Sequence, residues 1–361
     1  MTLNDISNLR IVNQKIVGTE FRTAKELVGW MGAVQAQDYA MAKLAVGLRL
    51  LQATDNTIES AFNRGEIIRT HIMRPTWHFV AAEDIYWLLE LTAPKIKSSV
   101  KSRHRDLEIT PDLLSRSNDI IGKALLERKL LTREELAIEF GKADINVSNN
   151  RLSHLMFCAE LEGLICSGPV RGKKQTYALL EARVPRTKML TRDESLAELA
   201  KRYFTSHCPA TLQDFVWWSG LSVNDARLAL ESVKPDFISE IIGSDTYWLT
   251  NSFSTSKGGN SIVHLLPAFD EFLISYRDRS ASLSLVHNCK AVSDNGIFRP
   301  VIVIDGQVSG LWKRTTKKDK VIIETDLFQA QDSQIQDGIE KAVRNFESFF
   351  GKTASMSYQD K

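Results

Sequence analysis

Residues 110–182 read TPDLLSRSNDIIGKALLERKLLTREELAIEFGKADINVSNNRLSHLMFCAELEGLICSGPVRGKKQTYALLEA. A threonine N-cap followed by proline predicts a first helix over Pro111–Glu127, and the capping box Thr132–Glu135 predicts the start of a second. Apolar residues at helical spacing predict a third helix over Ser148–Gly163. Two short strands then flank a turn at Gly168–Lys174. Three helices followed by a β-hairpin are the element order of a winged helix.

The same order of helices and hairpin recurs on both sides of this unit. We therefore predict three tandem winged-helix domains, at residues 5–92, 108–185 and 190–252, because a repeated unit is a stronger signal than a single copy. Residues 93–107 are predicted to be a basic linker, and residues 260–361 a C-terminal domain. The predicted fold class is α+β and mainly α.

The C-terminal domain differs from the repeats because its valines and isoleucines follow strand spacing, at residues 261–274 and 299–325. Asp305 and Gly306 are typical of a two-residue hairpin turn. A last helix is predicted over Gln334–Phe350, since its apolar residues fall on one face. These patterns together predict a β-barrel-like domain with a docking helix.

The composition excludes several function classes. The chain has 361 residues, 43% of them hydrophobic, and a formal net charge of +2, so it can bury real cores and is not a histone-like basic protein. The four cysteines lack the spacing of a metal site, and the sequence has no nucleotide or hydrolase signature; we expect neither metal nor organic cofactor. We find no secretory leader and no apolar run of membrane length, which predicts a cytoplasmic protein that does not contact membranes.

Because the overall charge is nearly neutral, any affinity for nucleic acid must come from local basic clusters. One cluster lies in residues 93–105, which contain no acidic residue and whose alternative role is a solvated helix face. A second lies at the hairpin tip of the second unit, and a third follows Trp312. The predicted DNA-binding members are Lys101, Arg103 and Arg105, then Arg171, Lys173 and Lys174, then Lys313 and Arg314.

Two glutamines, Gln35 and Gln37, directly follow the second predicted helix of the first unit. Side chains at positions i and i+2 share a face in an extended chain but diverge in a helix. If both glutamines serve one site, this segment must therefore be non-helical. The alternative is a pair of surface or capping glutamines, since polar residues are mostly exposed.

Four segments in order resemble the AlkZ/YcaQ-like winged-helix proteins, a family that contains bacterial DNA glycosylases. The segments are QAQ at 35–37, RTHIMRPTWH at 69–78, LLPAFD at 265–270 with ISYRDR at 274–279, and DG at 305–306 with GLW at 310–312. The resemblance runs over nearly the whole chain. One branch of the family has aspartate in place of the second glutamine, so Gln37 places this chain nearer the branch that acts on crosslinks.

The resemblance implies a DNA glycosylase that removes N7-alkylated or interstrand-crosslinked purines from double-stranded DNA, with Gln35 and Gln37 as its catalytic residues. Alkylation at N7 makes the base cationic and weakens its glycosidic bond, so an amide that orients a water is sufficient. We expect a monomer that associates with the nucleoid when bound to DNA. The alternative is a non-catalytic winged-helix DNA-binding protein with a regulatory or architectural role.

The same segments supply further candidates for DNA contact, which are Arg74, Trp77, His78, Asp270, Arg277 and Arg279. Trp77 and His78 follow Arg74 on a strand, and they line either the floor of a DNA channel or the core. Asp270 and the two later arginines line the opposite wall or form a structural ion pair. The dipeptide Trp217–Trp218 is predicted to lie in the core.

Overall fold

A computed structural model describes residues 1–186, 189–251, 262–329 and 333–358. The first unit begins with a helix capped by Thr2 and continues with three helices, one short strand and a hairpin. Its elements are α1 (Leu3–Asn13), α2 (Ala24–Met31), β1 (Val34–Gln35), α3 (Tyr39–Gly47), α4 (Asp55–Arg64), β2 (Ile67–Ile72) and β3 (Thr76–Ala81). The three strands form one antiparallel sheet in the order β1-β3-β2. The elements from α2 to β3 have the order of a winged helix.

Residues 93–107, the expected linker, are mostly helical. They belong to the end of α5 (Ile85–Ser99) and to α6 (Lys101–Asp106). Ala93 and Ile96 lie one helical turn apart and are buried against Phe157 of the second unit. This segment therefore packs the first two units together rather than connecting them loosely.

The second unit is a complete winged helix. Its elements are α7 (Pro111–Arg128), β4 (Leu131–Thr132), α8 (Arg133–Lys142), α9 (Arg151–Leu161), β5 (Ile165–Arg171), β6 (Lys174–Leu179) and α10 (Leu180–Arg183). Thr110 and Thr132 cap α7 and α8 as the sequence indicates. The sheet order β4-β6-β5 is that of the first unit. A core made only of residues between Leu107 and Leu179 fills the unit.

The third unit repeats the pattern with a reduced sheet. Its elements are α11 (Arg192–Ser206), α12 (Leu212–Ser219), α13 (Val223–Val233), β7 (Ile238–Ile242) and β8 (Asp245–Leu249). In place of a short strand before α12, Ala210 makes a single bridge to Trp248 of β8. Thr211 then caps α12. The predicted boundary between residues 252 and 260 lies outside the described residues.

The C-terminal region carries a five-stranded sheet. Its elements are β9 (Val263–Leu266), α14 (Glu271–Ile274), α15 (Asn288–Ala291), β10 (Val301–Ile304), β11 (Gln307–Thr316), β12 (Lys320–Leu327), α16 (Ser333–Phe350) and β13 (Thr353–Tyr358). The strand order is β13-β12-β11-β10-β9, a curled half-barrel with two edges. Asp305 and Gly306, both at positive φ, make the predicted turn between β10 and β11.

Two strand predictions for this region need correction. Only residues 263–266 of the predicted stretch 261–274 are a strand, because Asp270 caps the short helix α14 and ends the extended chain. Residue 261 lies outside the described residues. The sequence reading also missed β13, which pairs in parallel with β12 after the chain crosses back along α16.

The first unit has no core of its own and divides its apolar residues between two neighbours. Phe62 and Phe79 pack in one core with the C-terminal sheet and α16. Ile68 and Val80, from the opposite face of its sheet, pack in a second core with α11 to α13 of the third unit. The first unit therefore connects the C-terminal region to the third unit.

Candidate active site

The glutamine pair lies where the first unit changes from strand to helix. Gln35 is the last residue of β1 and is in register with His78 of β3. The amide of Ala36 continues the ladder with a 2.7 Å hydrogen bond to the carbonyl of Trp77. Gln37 follows and is exposed, and Asp38 then caps α3 through the amides of its first turn. The segment is non-helical, as the spacing of two cooperating glutamines requires.

A comparison of the three units shows that this segment is an insertion. In the second unit, Thr132 both ends the short strand and caps the next helix. In the third, Thr211 caps α12 directly after the bridging residue. In the first unit, two residues, Ala36 and Gln37, stand between the end of β1 and the cap. The loop that carries Gln37 is thus absent from the corresponding position of the other two units.

The Gln35 side chain is buried and fixed in place. It is 4% exposed, and its carbonyl Oε1 accepts hydrogen bonds from Arg74 Nη2 and Thr76 Oγ1, both at 3.3 Å. Its backbone amide donates to Glu271 Oε1 at 2.6 Å. The two glutamines therefore differ: Gln35 is anchored on both sides, whereas the described residues make no hydrogen bond to the Gln37 side chain.

Glu271, at the start of α14, holds a buried negative charge beneath Gln35. It is 1% exposed, and the indole of Trp218 and the hydroxyl of Ser275 donate to its Oε2, with His207 Nε2 3.7 Å away. Burial alone would raise the pKa of this carboxyl, but His207, Ser275 and the Gln35 amide lower it to about 2. Glu271 is therefore ionised, and it ties the third unit and the C-terminal region to the glutamine segment.

Arg74, which bonds Gln35, and a second arginine, Arg279, both contact the indole of Trp217. The guanidinium carbons of Arg74 and Arg279 are 5.6 and 5.3 Å from the ring centroid of Trp217. Trp217 is 40% exposed and donates its indole N–H to the carbonyl of Ile274 at 2.8 Å. Among the described residues, neither arginine has a carboxylate partner. Burial lowers the pKa of Arg279 to about 10, and the nearby charge of Arg74 adds to this effect.

Trp217 is therefore a residue that the sequence reading missed. The dipeptide was predicted to be core, and this is right only for Trp218, which is fully buried. Adjacent residues on a helix point about 100° apart, so one member of such a pair is free to face outward. The helical period therefore indicates that Trp217 and Trp218 point in different directions. It does not indicate the contacts of Trp217 with Arg74 and Arg279, because these arginines come from distant segments.

Two predicted DNA contacts, His78 and Asp270, are buried, and a third, Trp77, is partly buried. His78 is completely buried, and its Nδ1 donates to the carbonyl of Thr76 at 2.9 Å. Burial, and then the charge of Arg74, lower its pKa to about 3, so the ring is neutral. Asp270 is buried in a two-bond ion pair with Arg49, at 2.7 and 2.9 Å. Trp77 lies partly buried under the guanidinium of Arg69. His78 and Asp270 therefore contribute to the interior of the site rather than to its surface.

The predicted basic clusters are at the surface but differ in how many of their charges are paired with carboxylates. Lys101, Arg103 and Arg105 are exposed on α6. At the hairpin tip of the second unit, Arg171 and Lys174 lie 2.5 and 3.6 Å from carboxylates of α8, which partly neutralise them. In the C-terminal sheet, Lys313 pairs with Glu324 at 2.8 Å, and Arg314 lies over the ring of Phe350. Lys173 and Arg277 are also exposed, the latter bonded to Gln213 at 2.9 Å.

The third helix of a winged helix is commonly the one that enters a DNA groove. In the second unit this helix, α9, has its residues 155–161 buried. Its Glu160 contacts the ring of His71 and lies 3.5 Å from the indole nitrogen of Trp77, both in the first unit's hairpin. This half of α9 is therefore part of an interface between units and is not available to DNA.

The fold and the site together define a class, that of tandem winged-helix proteins with a polar site built on one repeat. Residues 28–349 match the family described as DNA glycosylase AlkZ-like. The chain belongs to this family, and it is accordingly a DNA glycosylase, an enzyme that hydrolyses N-glycosyl bonds in DNA. The non-catalytic alternative is not favoured.

Two comparisons with individual proteins agree. The interstrand DNA cross-link repair glycosylase of Streptomyces sahachiroi is 25% identical over 306 residues, which are 81% of this chain and 82% of that protein. The structure of the DNA glycosylase AlkZ from the same organism superposes with a TM-score of 0.81 at 20% identity, covering 99% of this chain and 100% of that one. This likeness confirms the predicted fold class.

Two further observations concern metal binding and membrane spans. In the described part of the chain, no group of three or more His, Cys, Asp or Glu side chains is placed to hold a metal ion. Within the same residues, no helix combines the length and the apolar character that crossing a bilayer would need.

Proposed function

We propose that this enzyme excises N7-alkylated purines, including those joined in interstrand crosslinks, from double-stranded DNA. The observation that carries the proposal is the loop of Gln35 and Gln37 beside Arg74, which, like the nearby Arg279, has no carboxylate partner among the described residues. The printed function of the Streptomyces relative, interstrand DNA cross-link repair, supports the same substrate class. Such an enzyme works where chromosomal DNA is, which in a bacterium is the nucleoid in the cytoplasm.

The reaction needs little help from the protein because the base is already a cation. The bond between C1′ and N9 breaks, and its electron pair neutralises the alkylated purine as it leaves. Water then adds to the oxocarbenium-like C1′ and releases a proton, leaving an abasic sugar. An amide oxygen orients this water and stabilises positive charge, but it is too weak a base to remove an ordinary, uncharged purine. The residue type thereby selects for cationic lesions.

The two glutamines have different parts in this reaction. Gln37 is exposed and its side chain has no hydrogen bond from the described residues, so we assign it the water and the sugar. The Gln35 carbonyl already accepts from Arg74 and Thr76, so we assign it to holding Arg74 beside the reacting nucleotide. Arg74, Arg279 and the exposed Arg277 contact the phosphates that flank the lesion. The clusters on α6, at the hairpin tip of the second unit and on β11 track the duplex further away.

The experiment uses the full-length protein with two duplexes, one containing N7-methylguanine and one a crosslink between N7 positions of opposite guanines. Abasic sites and unhooked strands are scored under single-turnover conditions with enzyme in excess. We expect Gln37→Ala to lose about 10²-fold or more of the excision rate, as removal of a preorganised polar group does in other enzymes. Gln35→Ala loses less, because it acts through Arg74.

Gln334→Ala is the matched control, since Gln334 is exposed on α16 outside the first unit. It keeps the wild-type rate, and Gln37→Ala keeps wild-type DNA affinity. Full activity in Gln37→Ala would remove this residue from the mechanism. A wild-type protein that binds both duplexes but excises neither would overturn the proposed lesion class.

A further inference from the structure

Arg69, on β2, is a buried cation that contacts the backbone of the glutamine loop. It is 5% exposed, and its Nε donates to the carbonyl of Ala36 at 2.9 Å. Its Nη2 makes a longer contact of 3.4 Å with the carbonyl of Gln37. Among the described residues it makes no ion pair, so two loop carbonyls receive the hydrogen bonds of a guanidinium that is costly to bury.

Two aromatic rings hold the Arg69 guanidinium in place. Its carbon lies 4.3 Å from the ring centroid of Trp77 on β3, and 5.8 Å from that of Tyr39 at the start of α3. A planar guanidinium stacks on aromatic faces and keeps its N–H groups in a fixed fork, which an ammonium group does not. Arg69 therefore joins the hairpin, the loop and the following helix at a single point.

The other two units show what stands at this position when the loop is absent. Arg69 is in register with Phe79, the partner of β1. In the second unit, Ser167 is in register with Tyr177, the partner of β4. In the third, Ser239 is in register with Trp248, the partner of Ala210. Both units without the two-residue insertion have serine, and the unit with the insertion has arginine.

We propose that Arg69 is a positioning residue that fixes the backbone of Ala36 and Gln37 and thereby aims the Gln37 side chain at the reacting sugar. The insertion frees Gln37 from both the strand ladder and the helix, and without a clamp its side chain would sample many orientations. Asp38 secures one end of the loop by capping α3 with 3.0 Å bonds to the amides of Ala40 and Met41. Arg69 secures the other end.

This inference deepens the proposed function and rests on it for its kinetic test alone. Arg69→Lys keeps the charge but loses the fork, and Arg69→Ser introduces the residue of the other units. Both should lower the single-turnover excision rate about 10- to 100-fold, since a displacement of about 1 Å in an active site has effects of this size. Duplex affinity should stay within about threefold, because Arg69 is buried. Arg64→Lys and Arg64→Ser, at an exposed pair with Glu66, are matched controls with wild-type rates.

Amide hydrogen exchange gives a readout that does not depend on activity. In Arg69→Lys, the amide of Ala36, which donates to the carbonyl of Trp77, should exchange faster while those of β2 and β3 keep their protection. A merely structural role would instead loosen the whole hairpin and would lower the rate only as far as the folded fraction falls. Unchanged exchange in the loop, or a rate within about twofold of wild type, overturns the proposal. If the wild type is inactive but Arg69→Lys shows the expected exchange pattern, the proposed substrate is wrong and the positioning role stands.

Discussion

The second unit and the first share one element order, yet they are stabilised differently. The second encloses its own core between Leu107 and Leu179. The first has no separate core, because one face of its sheet packs on the C-terminal region and the other on the third unit. The glutamine loop is on the first unit, where surrounding elements fix its backbone from several directions. The second unit, which has its own core, thus acts as a scaffold. The first unit, which shares its cores with its neighbours, carries the site.

This difference has a physical reason. An active-site side chain must be held within a fraction of an ångström, and a two-residue loop on an isolated small domain lacks the contacts for this. The first unit obtains them from Glu271 of the C-terminal region, which binds the Gln35 amide, and from Trp218 of the third unit, which binds Glu271. Sharing its cores makes the first unit less independent and its loop more rigid.

The largest expected effect comes from matched core truncations. Phe62 and Phe140 are both completely buried, the former in the shared core and the latter in the second unit's own core. Each change to alanine should cost about 3–5 kcal/mol by the usual cost of a cavity. In Phe62→Ala, hydrogen exchange should rise across the first unit and the C-terminal sheet. In Phe140→Ala, the rise should stay within residues 107–179.

The excision rate separates the two variants further. Phe62→Ala should lose activity as temperature rises well before Phe140→Ala does, since only the former loosens the body that holds the loop. An equal spread of exchange in both variants would show that the two units are one cooperative block, and the comparison would then fail.

A smaller effect concerns the buried charge of Glu271. Its pKa falls from 4.5 to about 2 on folding, so its contribution to stability is present above pH 4.5 and is lost as the pH falls toward 2. Glu271→Gln should therefore destabilise the protein by about 2 kcal/mol at neutral pH, the range of hydrogen bonds to a charged group. The difference from wild type should shrink between pH 4.5 and 2. Thermal unfolding across this range measures it, and a constant difference would contradict the assignment.

The smallest effects concern the positive charges beside the glutamine loop and at the hairpin of the second unit. Arg279→Ala removes a cation that has no carboxylate partner in the described part of the chain. It should weaken duplex binding about tenfold and lower the salt dependence by about one charge. Arg171→Ala removes a cation that Glu135 already pairs at 2.5 Å, and should change binding less than about twofold. Titrations at several salt concentrations compare them. A larger loss for Arg171 would place the main DNA contact on the second unit's hairpin.

Local patterns predicted much of the fold because their causes are local. The capping box at Thr132 and the proline behind Thr110 start α8 and α7 as the sequence indicates. The pair Asp305–Gly306 turns between β10 and β11 because both residues tolerate positive φ. The domain boundaries themselves stay predictions, and so do the roles of Gln35 and Gln37. The segment that carries both glutamines was located by sequence, together with its need to be non-helical.

The sequence by itself determined the order of helices and hairpins, the family and the position of the glutamine pair, since these depend on neighbours along the chain. Tertiary structure alone decided which polar residues became interior. Asp270 pairs with Arg49, 221 residues away, and the Gln35 amide meets Glu271 across 236 residues. Such partners share no local spacing, because burial and charge pairing depend on where distant segments meet. For the same reason, the sequence identified Arg69 only as a member of the segment at 69–78, and its contact with the glutamine loop is visible only in the tertiary structure.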